Sequence, residues 1–225
     1  MHQNNLSVVM LGASGAVGTQ VLENLLIAKE VEQLTLLGRK SIPSITASHV
    51  QQYQIDIFDA ASYEHYLANH TTAICTLGVG QPSAMSKAAF IKIDKTAVID
   101  FAIACKKAGI KHFELLASVG LNSKSSSFYL KTKGELVEAL KALHFERLSI
   151  FQPSMILTPT NRYGISQAIV LKVWPVLKPL FVGNLRKYRG VPVDVLGKAM
   201  AMNIFNKKTG EEYLHWDDFY ALVSK

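Results

Sequence analysis

Two side chains with complementary chemistry, Tyr129 and Lys133, stand four residues apart in the stretch Tyr-Leu-Lys-Thr-Lys. The apolar spacing around them predicts a helix, on which residues i and i+4 share a face, so a phenol lies beside an ammonium group. A free tyrosine has a pKa of about 10, and a neighbouring cation stabilises the phenolate and brings proton exchange closer to neutral pH. Ser118, eleven residues before Tyr129, adds a hydroxyl that can hydrogen-bond a carbonyl oxygen. The three residues favour proton transfer to a carbonyl substrate, although Tyr and Lys are also common on helices without any catalytic role.

A glycine-rich turn follows the first apolar run of the chain, Leu6–Leu11. Glycines recur there every third residue, and a segment with helical spacing comes next. Glycines at a strand-to-helix turn let the backbone approach a pyrophosphate, and the helix N-terminus offers free N–H groups and a partial positive charge. The pattern predicts a nucleotide-cofactor site, with an ordinary glycine-rich turn as the alternative. Its residues are Gly12, Ala13, Ser14, Gly15, Ala16, Val17 and Gly18.

A basic pair, Arg39 and Lys40, follows the second predicted strand. Dinucleotide folds that select NAD usually carry an acidic residue here, which binds the ribose 2′-hydroxyl. A guanidinium group instead suits a 2′-phosphate, with which it forms paired, charge-assisted hydrogen bonds. The pair therefore predicts NADPH as the cofactor, with an exposed arginine at a strand end as the alternative. Asp56 and Ile57 end the third predicted strand, where they could meet the adenine, although a plain turn aspartate would look the same.

The order of the elements supplies a scaffold that can bring these residues together. Apolar runs alternate with segments of helical spacing, which is the pattern of an α/β protein with a doubly wound, mostly parallel, Rossmann-type sheet. In such a sheet the loops that follow the strands lie along one edge. We predict strands at 6–11, 33–37, 50–57, 72–77, 111–117 and 147–151, and helices at 16–28, 86–108, 128–143, 195–205 and 216–223.

The length and composition predict one folded domain. The chain has 225 residues, 49% of them hydrophobic, which is enough for a sizeable core. We expect a single NAD(P)-binding domain over 1–225, in which 154–225, where the regular spacing weakens, forms a small substrate-side extension. Cys75 and Cys105 lie in apolar runs outside any CxxC pair, and the histidines lack metal-ligand spacing, so neither disulfides nor a metal are expected. No signal peptide or bilayer-spanning run is recognisable, which predicts a cytoplasmic location.

The net charge of +7 is concentrated in one segment, 147–193, which contains no acidic residue. Such a segment favours an anionic partner: a phosphate, an acidic substrate, a protein or an anionic membrane surface. We interpret its part from Lys172 to Phe181 as a substrate lid, with a fixed, solvated basic surface as the alternative. Nucleic acid is not expected, because no nucleic-acid-binding motif accompanies the charge. The seven basic residues are Arg147, Arg162, Lys172, Lys178, Arg186, Lys187 and Arg189.

In their order along the chain, the motifs GASGAVG, LGRK, CTLG, HFELLAS, YLKTKGE and FQPS resemble those of the short-chain dehydrogenase/reductase superfamily. The similarity is greatest to its atypical branch that includes the Tat-interacting-protein oxidoreductases. The resemblance implies that the glycine turn and Arg39 hold NADPH and that Ser118, Tyr129 and Lys133 form the catalytic set. It further implies that two short segments line the cofactor, Leu77 and Gly78 in its middle and Pro153, Met155 and Ile156 at its nicotinamide end.

These features predict an NADPH-dependent oxidoreductase that transfers a hydride between nicotinamide and the carbonyl or alcohol group of a small molecule. Tyr129 would supply the proton, Ser118 would orient the substrate oxygen, and Lys133 would hold the ribose hydroxyls. One alternative is a non-catalytic NADPH-sensing regulatory protein that binds a protein partner. Another is a sugar-nucleotide epimerase or dehydratase, whose usual larger C-terminal substrate domain is not expected in 225 residues.

Overall fold

A seven-stranded sheet, in which every neighbouring pair of strands is parallel, forms the centre of the protein. The computed structural model describes residues 6–79, 85–159 and 181–224. The strands are β1 (Leu6–Leu11), β2 (Val31–Gly38), β3 (Val50–Gln54), β4 (Thr72–Cys75), β5 (His112–Leu116), β6 (Arg147–Phe151) and β9 (Gly210–Leu214). Their order in the sheet is β3-β2-β1-β4-β5-β6-β9, so the chain winds outwards in both directions from β1. The predicted α/β fold with a doubly wound, Rossmann-type sheet is thereby confirmed.

Helices cover both faces of the sheet and bury its apolar side chains in two cores. In β1, Val9 and Leu11 belong to one core, whereas Val8 and Met10 belong to the other. A strand that is buried on both faces is usually apolar at consecutive positions, which explains the apolar run from Val8 to Leu11. The helices are α1 (Ala16–Leu26), α2 (Lys87–Ile91), α3 (Ala97–Lys107), α4 (Phe128–Lys141), α5 (Val193–Asn203) and α6 (Trp216–Val223).

The helix predicted over 86–108 is interrupted by a π-helical turn at Lys92–Thr96, which separates α2 from α3. Such turns shift the register of the following side chains by one residue and are frequent at functional sites. A second correction concerns the ends of β3 and β4, predicted at residues 57 and 77 but observed at Gln54 and Cys75. In both cases the chain leaves the sheet early to form the loops that surround the site described below.

One strand of the main sheet, β9 (Gly210–Leu214), was not predicted. Its sequence Gly-Glu-Glu-Tyr-Leu is too polar for a strand that is recognised by apolar spacing. The strand forms because it pairs with β6, which places Glu212 beside Ser149. A short parallel pair, β7 (Ile156–Leu157) and β8 (Val191–Pro192), was also missed. Part of the segment after residue 153 therefore extends the central sheet.

Four of the seven basic residues of 147–193 lie in the part of the chain that the structure describes, and one of them, Arg147, is buried and does not belong to a basic surface. Arg147 is buried in β6, where its guanidinium donates hydrogen bonds to Glu212 Oε1 and to the carbonyl oxygen of Asn203. Arg186 is exposed but forms an ion pair with Asp217, 2.5 Å away. Acidic residues that are distant in sequence thus neutralise part of the segment. Arg162, Lys172 and Lys178, and with them nearly all of the predicted lid, lie outside the described residues.

Two negative findings apply to the residues that the structure describes. None of their helices is both long and apolar enough to cross a membrane. No group of His, Cys, Asp and Glu side chains among them could hold a metal ion. Cys75 and Cys105 are both buried, and neither forms a disulfide.

Candidate functional site

The glycine turn after β1 packs directly against the end of β4. Gly12 has a φ of +97°, in the region that favours glycine, and a Cβ added there would lie 2.7 Å from the backbone nitrogen of Leu77. A Cβ added at Gly18 would collide with the carbonyl oxygen of Gly12. The turn is closed by a hydrogen bond of 3.0 Å from the Gly15 N–H to the same oxygen. Larger side chains at Gly12 and Gly18 would therefore push the turn away from β4.

The first turn of α1 can accept an anion. Its N-cap is Gly15, which has no side chain that could cap the helix, and the first turn contains no acidic residue. The N–H groups of Ala16, Val17 and Gly18 stand where a helix has no internal acceptor for them. A pyrophosphate placed there would accept these hydrogen bonds and would gain from the helix dipole. The residues present thus fit the phosphate groups of a dinucleotide.

A cavity leads from the glycine turn to the ends of β2 and β3. Predicted cofactor residues line it on both sides, and the side chains of Arg39 and Lys40 are exposed at its rim. The sequence did not single out Ser41, Gln52 and Tyr53, which line the same cavity. The predicted residues in its wall are Gly12, Ala13, Ser14, Arg39, Lys40, Ile57 and Leu77.

Asp56 plays a local role. It does not belong to the wall of this cavity, although its neighbour Ile57 does. Its Oδ1 accepts a hydrogen bond of 2.9 Å from the backbone N–H of Phe58. This is the hydrogen bond by which an aspartate stabilises its own turn. The hydrogen bond fits the turn role that the sequence left open for Asp56, and its contact with the adenine stays a prediction.

The predicted catalytic residue Lys133 is buried and forms an ion pair with Asp94. The distance from Lys133 Nζ to Asp94 Oδ1 is 2.6 Å, and the side chains are 5% and 2% exposed. The second carboxylate oxygen of Asp94 accepts a hydrogen bond of 2.7 Å from the Val79 N–H. A Cβ added at Gly78 would lie 3.2 Å from Asp94 Oδ1 and 3.9 Å from Lys133 Nζ. Asp94 therefore joins helix α4 to the loop that follows β4, where the resemblance places the middle of the cofactor.

Sequence reasoning missed Asp94. It stands in the π-helical turn Lys92–Thr96, between helix α2, which buries Phe90, and helix α3, whose apolar residues belong to the core. Its spacing of four residues from both Phe90 and Val98 predicts the buried face, but helical spacing does not identify Lys133, on another helix, as its partner. An acidic residue amid the apolar stretch that leads into α3 was the one available signal.

Tyr129 and Ser118 lie at the same edge of the sheet as Lys133. Tyr129 is in the first turn of α4, half-buried, with its ring centroid 5.8 Å from that of Phe90. Ser118 follows β5, and its hydroxyl makes a long hydrogen bond of 3.4 Å to the Val119 carbonyl. The backbone beside it is fixed, because the Val119 N–H donates to the Pro153 carbonyl at 3.0 Å. Ser118 is thus attached to the loop after β6.

Gly134 is another residue that the sequence analysis did not recognise. A Cβ at this position would collide with the backbone of Asn122 and Ser123. The loop after Ser118 therefore packs tightly on α4, one residue beyond Lys133. A glycine within a helix costs about 1 kcal/mol relative to alanine, so its presence in the middle of α4 was a usable signal of close packing.

The residues assigned to the nicotinamide end follow β6 directly. Pro153 is buried, and the carbonyl oxygen of Met155 accepts a hydrogen bond of 2.8 Å from the Val191 N–H. Ile156 begins β7 and pairs with Val191 of β8. These contacts fix the backbone that follows β6, where the side chains of Met155 and Ile156 are half-buried.

Comparison with known proteins shows relatives that cover most of the chain. Residues 12–149 match the model of a family described as NAD(P)H-binding. Protein HTATIP2 from Rattus norvegicus is 29% identical over 209 residues, which cover 92% of this chain and 84% of that protein. Protein FMP52, mitochondrial, from Lodderomyces elongisporus is 33% identical over 197 residues, which cover 80% of this chain and 83% of that protein.

Solved structures share the fold at low sequence identity. MoeE5 in complex with UDP-glucose and NAD matches with a TM-score of 0.70 and 14% identity, over 92% of this chain and 75% of that chain. A mutated uronate dehydrogenase matches with a TM-score of 0.66 and 14% identity, over 93% of this chain and 74% of that chain. At these identities the likeness concerns the fold alone.

Proposed function

Because this chain belongs to the NAD(P)H-binding family, we propose that it is an NADPH-dependent oxidoreductase acting on the carbonyl or alcohol group of a small molecule. The observation that carries the proposal is the burial of Lys133 beside the loop after β4, four residues beyond Tyr129. Burying an ammonium group is costly even when a carboxylate compensates it. The ion pair lies beside the loop after β4, whose Leu77 lines the cavity, and a tyrosine on the same helix face gives Lys133 a chemical role.

The preference for NADPH over NADH is supported by Arg39 and Lys40. Both side chains are exposed at the rim of the cavity that leads to the glycine turn. The guanidinium group can bind a 2′-phosphate through two parallel hydrogen bonds, and the ammonium group adds a second positive charge. The pyrophosphate would bind at the N-terminus of α1, at the other end of the cavity.

In the proposed mechanism the bound cofactor supplies the hydride, and the protein positions the substrate and moves the proton. Tyr129 donates its hydroxyl proton to the carbonyl oxygen during reduction, while the hydroxyl of Ser118 donates a hydrogen bond to the same oxygen. The ammonium group of Lys133 has three N–H donors, of which Asp94 takes one, so the others are available for ribose hydroxyls. Its positive charge also stabilises the phenolate that remains after proton transfer.

The test is NADPH consumption by the purified protein with a panel of aldehydes, ketones and quinones. We expect at least one compound to be reduced, and Ser118→Ala to slow that reaction. Ser125→Ala is the matched control, because Ser125 lies in the same loop and its hydroxyl oxygen accepts a hydrogen bond from the Ser127 N–H. NADPH binding without turnover of any compound, together with an NADPH-dependent affinity for a protein, would favour the sensor alternative.

The cytoplasmic location stays a prediction.

A further inference from the structure

The chain that connects β2 to β3 begins with Arg39 and is fastened to the sheet by the side chain of Gln52. The Ile42 N–H donates a hydrogen bond of 2.7 Å to Gln52 Oε1. In return, Gln52 Nε2 donates to the carbonyl oxygens of Ile42, at 3.2 Å, and Ile45, at 3.1 Å. One amide group thus serves three backbone groups of the turn 42–45, which is itself closed by a hydrogen bond of 3.1 Å from the Ile45 N–H to the Ile42 carbonyl.

The position of Gln52 in the sheet fixes the backbone from which its side chain extends. Gln52 lies in β3, in register with Leu36 of β2, two residues before that strand ends at Gly38. It is partly buried, whereas Gln51 and Gln54 on the same strand are exposed. Gln52 also lines the cavity together with Arg39, Lys40 and Ser41. The amide therefore holds the turn at Ile42, the residue that follows the basic pair and Ser41.

From this arrangement we infer that Gln52 is a positioning residue for cofactor selectivity, which rests on the NADPH preference proposed above. Its hydrogen bonds preorganise the backbone that carries Arg39 and Lys40, so that ordering this loop costs little when a 2′-phosphate binds. The pyrophosphate site belongs to a separate connection, between β1 and α1. Loss of the Gln52 amide therefore weakens the binding of NADPH and leaves the binding of NADH nearly unchanged.

The experiment compares Gln52→Leu and Gln52→Glu with the parent protein by fluorescence titration of NADPH and NADH. We expect Gln52→Leu to raise the Kd for NADPH about tenfold, the lower range for a hydrogen bond to a charged group, and to change that for NADH less than about twofold. Gln52→Glu keeps the shape of the side chain and the acceptor for the Ile42 N–H, but it loses both N–H donors and adds a negative charge. It should therefore selectively weaken the binding of NADPH at least as much as Gln52→Leu does. The amide hydrogen of Ile42 should exchange faster in cofactor-free Gln52→Leu, and that of Ile45 should exchange faster in both cofactor-free variants.

Gln33→Leu is the matched control. Gln33 is a partly buried glutamine of β2 whose Oε1 accepts a hydrogen bond of 3.2 Å from the Ser7 hydroxyl, far from the basic pair. It should leave the ratio of the two Kd values unchanged. Retained NADH binding shows that a Gln52 variant is folded. Equal losses for both cofactors, or no loss for either, would overturn the inference.

Arg39→Ala separates the inference from the function on which it rests. If Arg39→Ala selectively loses affinity for NADPH but neither Gln52 variant does, the inference is wrong and the proposed cofactor preference stands. If the parent protein binds both cofactors equally and Arg39→Ala changes neither affinity, the proposed preference is wrong and the inference fails with it.

Discussion

The ammonium group of Lys133 lies 2.6 Å from Asp94 Oδ1, and both side chains are almost completely buried. Asp94 reaches this position from a π-helical turn and uses its second oxygen to hold the N–H of Val79. The ion pair therefore connects the helix that carries Tyr129 with the loop after β4. Because both charges are out of water, each depends on the other for its compensation.

Removing one partner of this pair should strongly destabilise the protein. We expect Asp94→Ala to lower the free energy of unfolding by about 3–5 kcal/mol, because it leaves a buried, uncompensated ammonium group. The double variant Asp94→Leu/Lys133→Met should lose less free energy of unfolding than Asp94→Leu and Lys133→Met lose in total when each is made alone. Urea denaturation measures both. Lys95→Met is the control: its ion pair with Glu135 is 2.8 Å long and joins the same two elements but is partly exposed, so its loss should cost much less than the loss of Asp94. Equal losses for Asp94→Ala and Lys95→Met would contradict the prediction.

Arg39→Ala should discriminate between the two cofactors. We expect the affinity for NADPH to fall by about 1.5–3 kcal/mol, the usual contribution of hydrogen bonds to a charged group, and that for NADH to stay nearly constant. Fluorescence titration of both cofactors provides the measurement. Arg186→Ala removes an exposed guanidinium that is paired with Asp217, and it should change neither affinity. A parent protein that binds both cofactors alike would show the assignment of Arg39 to be wrong.

Tyr129→Phe should abolish most of the turnover and preserve cofactor binding. The variant keeps the ring that packs on Phe90 and loses only the proton donor. We expect turnover of a confirmed substrate to fall by roughly 10²–10⁴-fold, the usual contribution of general acid–base catalysis. Steady-state rates and NADPH titration are measured side by side, with Tyr220→Phe in α6 as the control. Unchanged turnover would mean that another group supplies the proton.

A buried glutamate outside the site, Glu114, should govern part of the pH dependence of stability. Its Oε1 accepts a hydrogen bond of 2.8 Å from Asn203, whereas its Oε2 has no hydrogen-bond partner among the described residues. Burial raises the pKa of Glu114 to about 8, against the lowering effects of the Asn203 hydrogen bond and the charge of Arg147. His112 lies 3.5 Å away, but burial, and then the charge of Arg147, lowers its pKa to about 3. The two side chains are therefore both neutral near pH 7 and form no ion pair.

The sign of the effect follows from the raised pKa. The folded protein keeps a proton on Glu114 that the unfolded chain loses above its ordinary pKa of 4.5. The stability from this group is therefore fully present below about pH 4.5 and is lost as the pH rises towards 8, by up to about 1.4 kcal/mol per pH unit. In Glu114→Gln, urea denaturation between pH 5.5 and about 8 should lack this decline. Glu138→Gln, at an exposed position of α4, should keep it. Identical slopes in Glu114→Gln and the parent would refute the prediction.

The patterns that were predicted correctly are local ones. The apolar run of β1, the glycines after it and the alternation of strands and helices depend on neighbouring residues, so the doubly wound sheet could be predicted from them. The motif order also identified the relationship to Tat-interacting proteins, which the similarity to HTATIP2 confirms. The spacing of Tyr129 and Lys133 placed them on one helix, because a spacing of four residues has a fixed meaning within a helix.

The partners of these residues depended on the folded structure. Asp94 meets Lys133 across 39 positions of the chain, and Arg147 is neutralised by Glu212, which is 65 positions away. Strand β9 forms by pairing with β6, and the amide of Gln52 holds a turn that no local pattern assigns to it. Each contact requires a particular register and packing between distant segments. Local spacing indicates which face of an element is buried, but the neighbour against which that face is buried is set by how the whole chain packs.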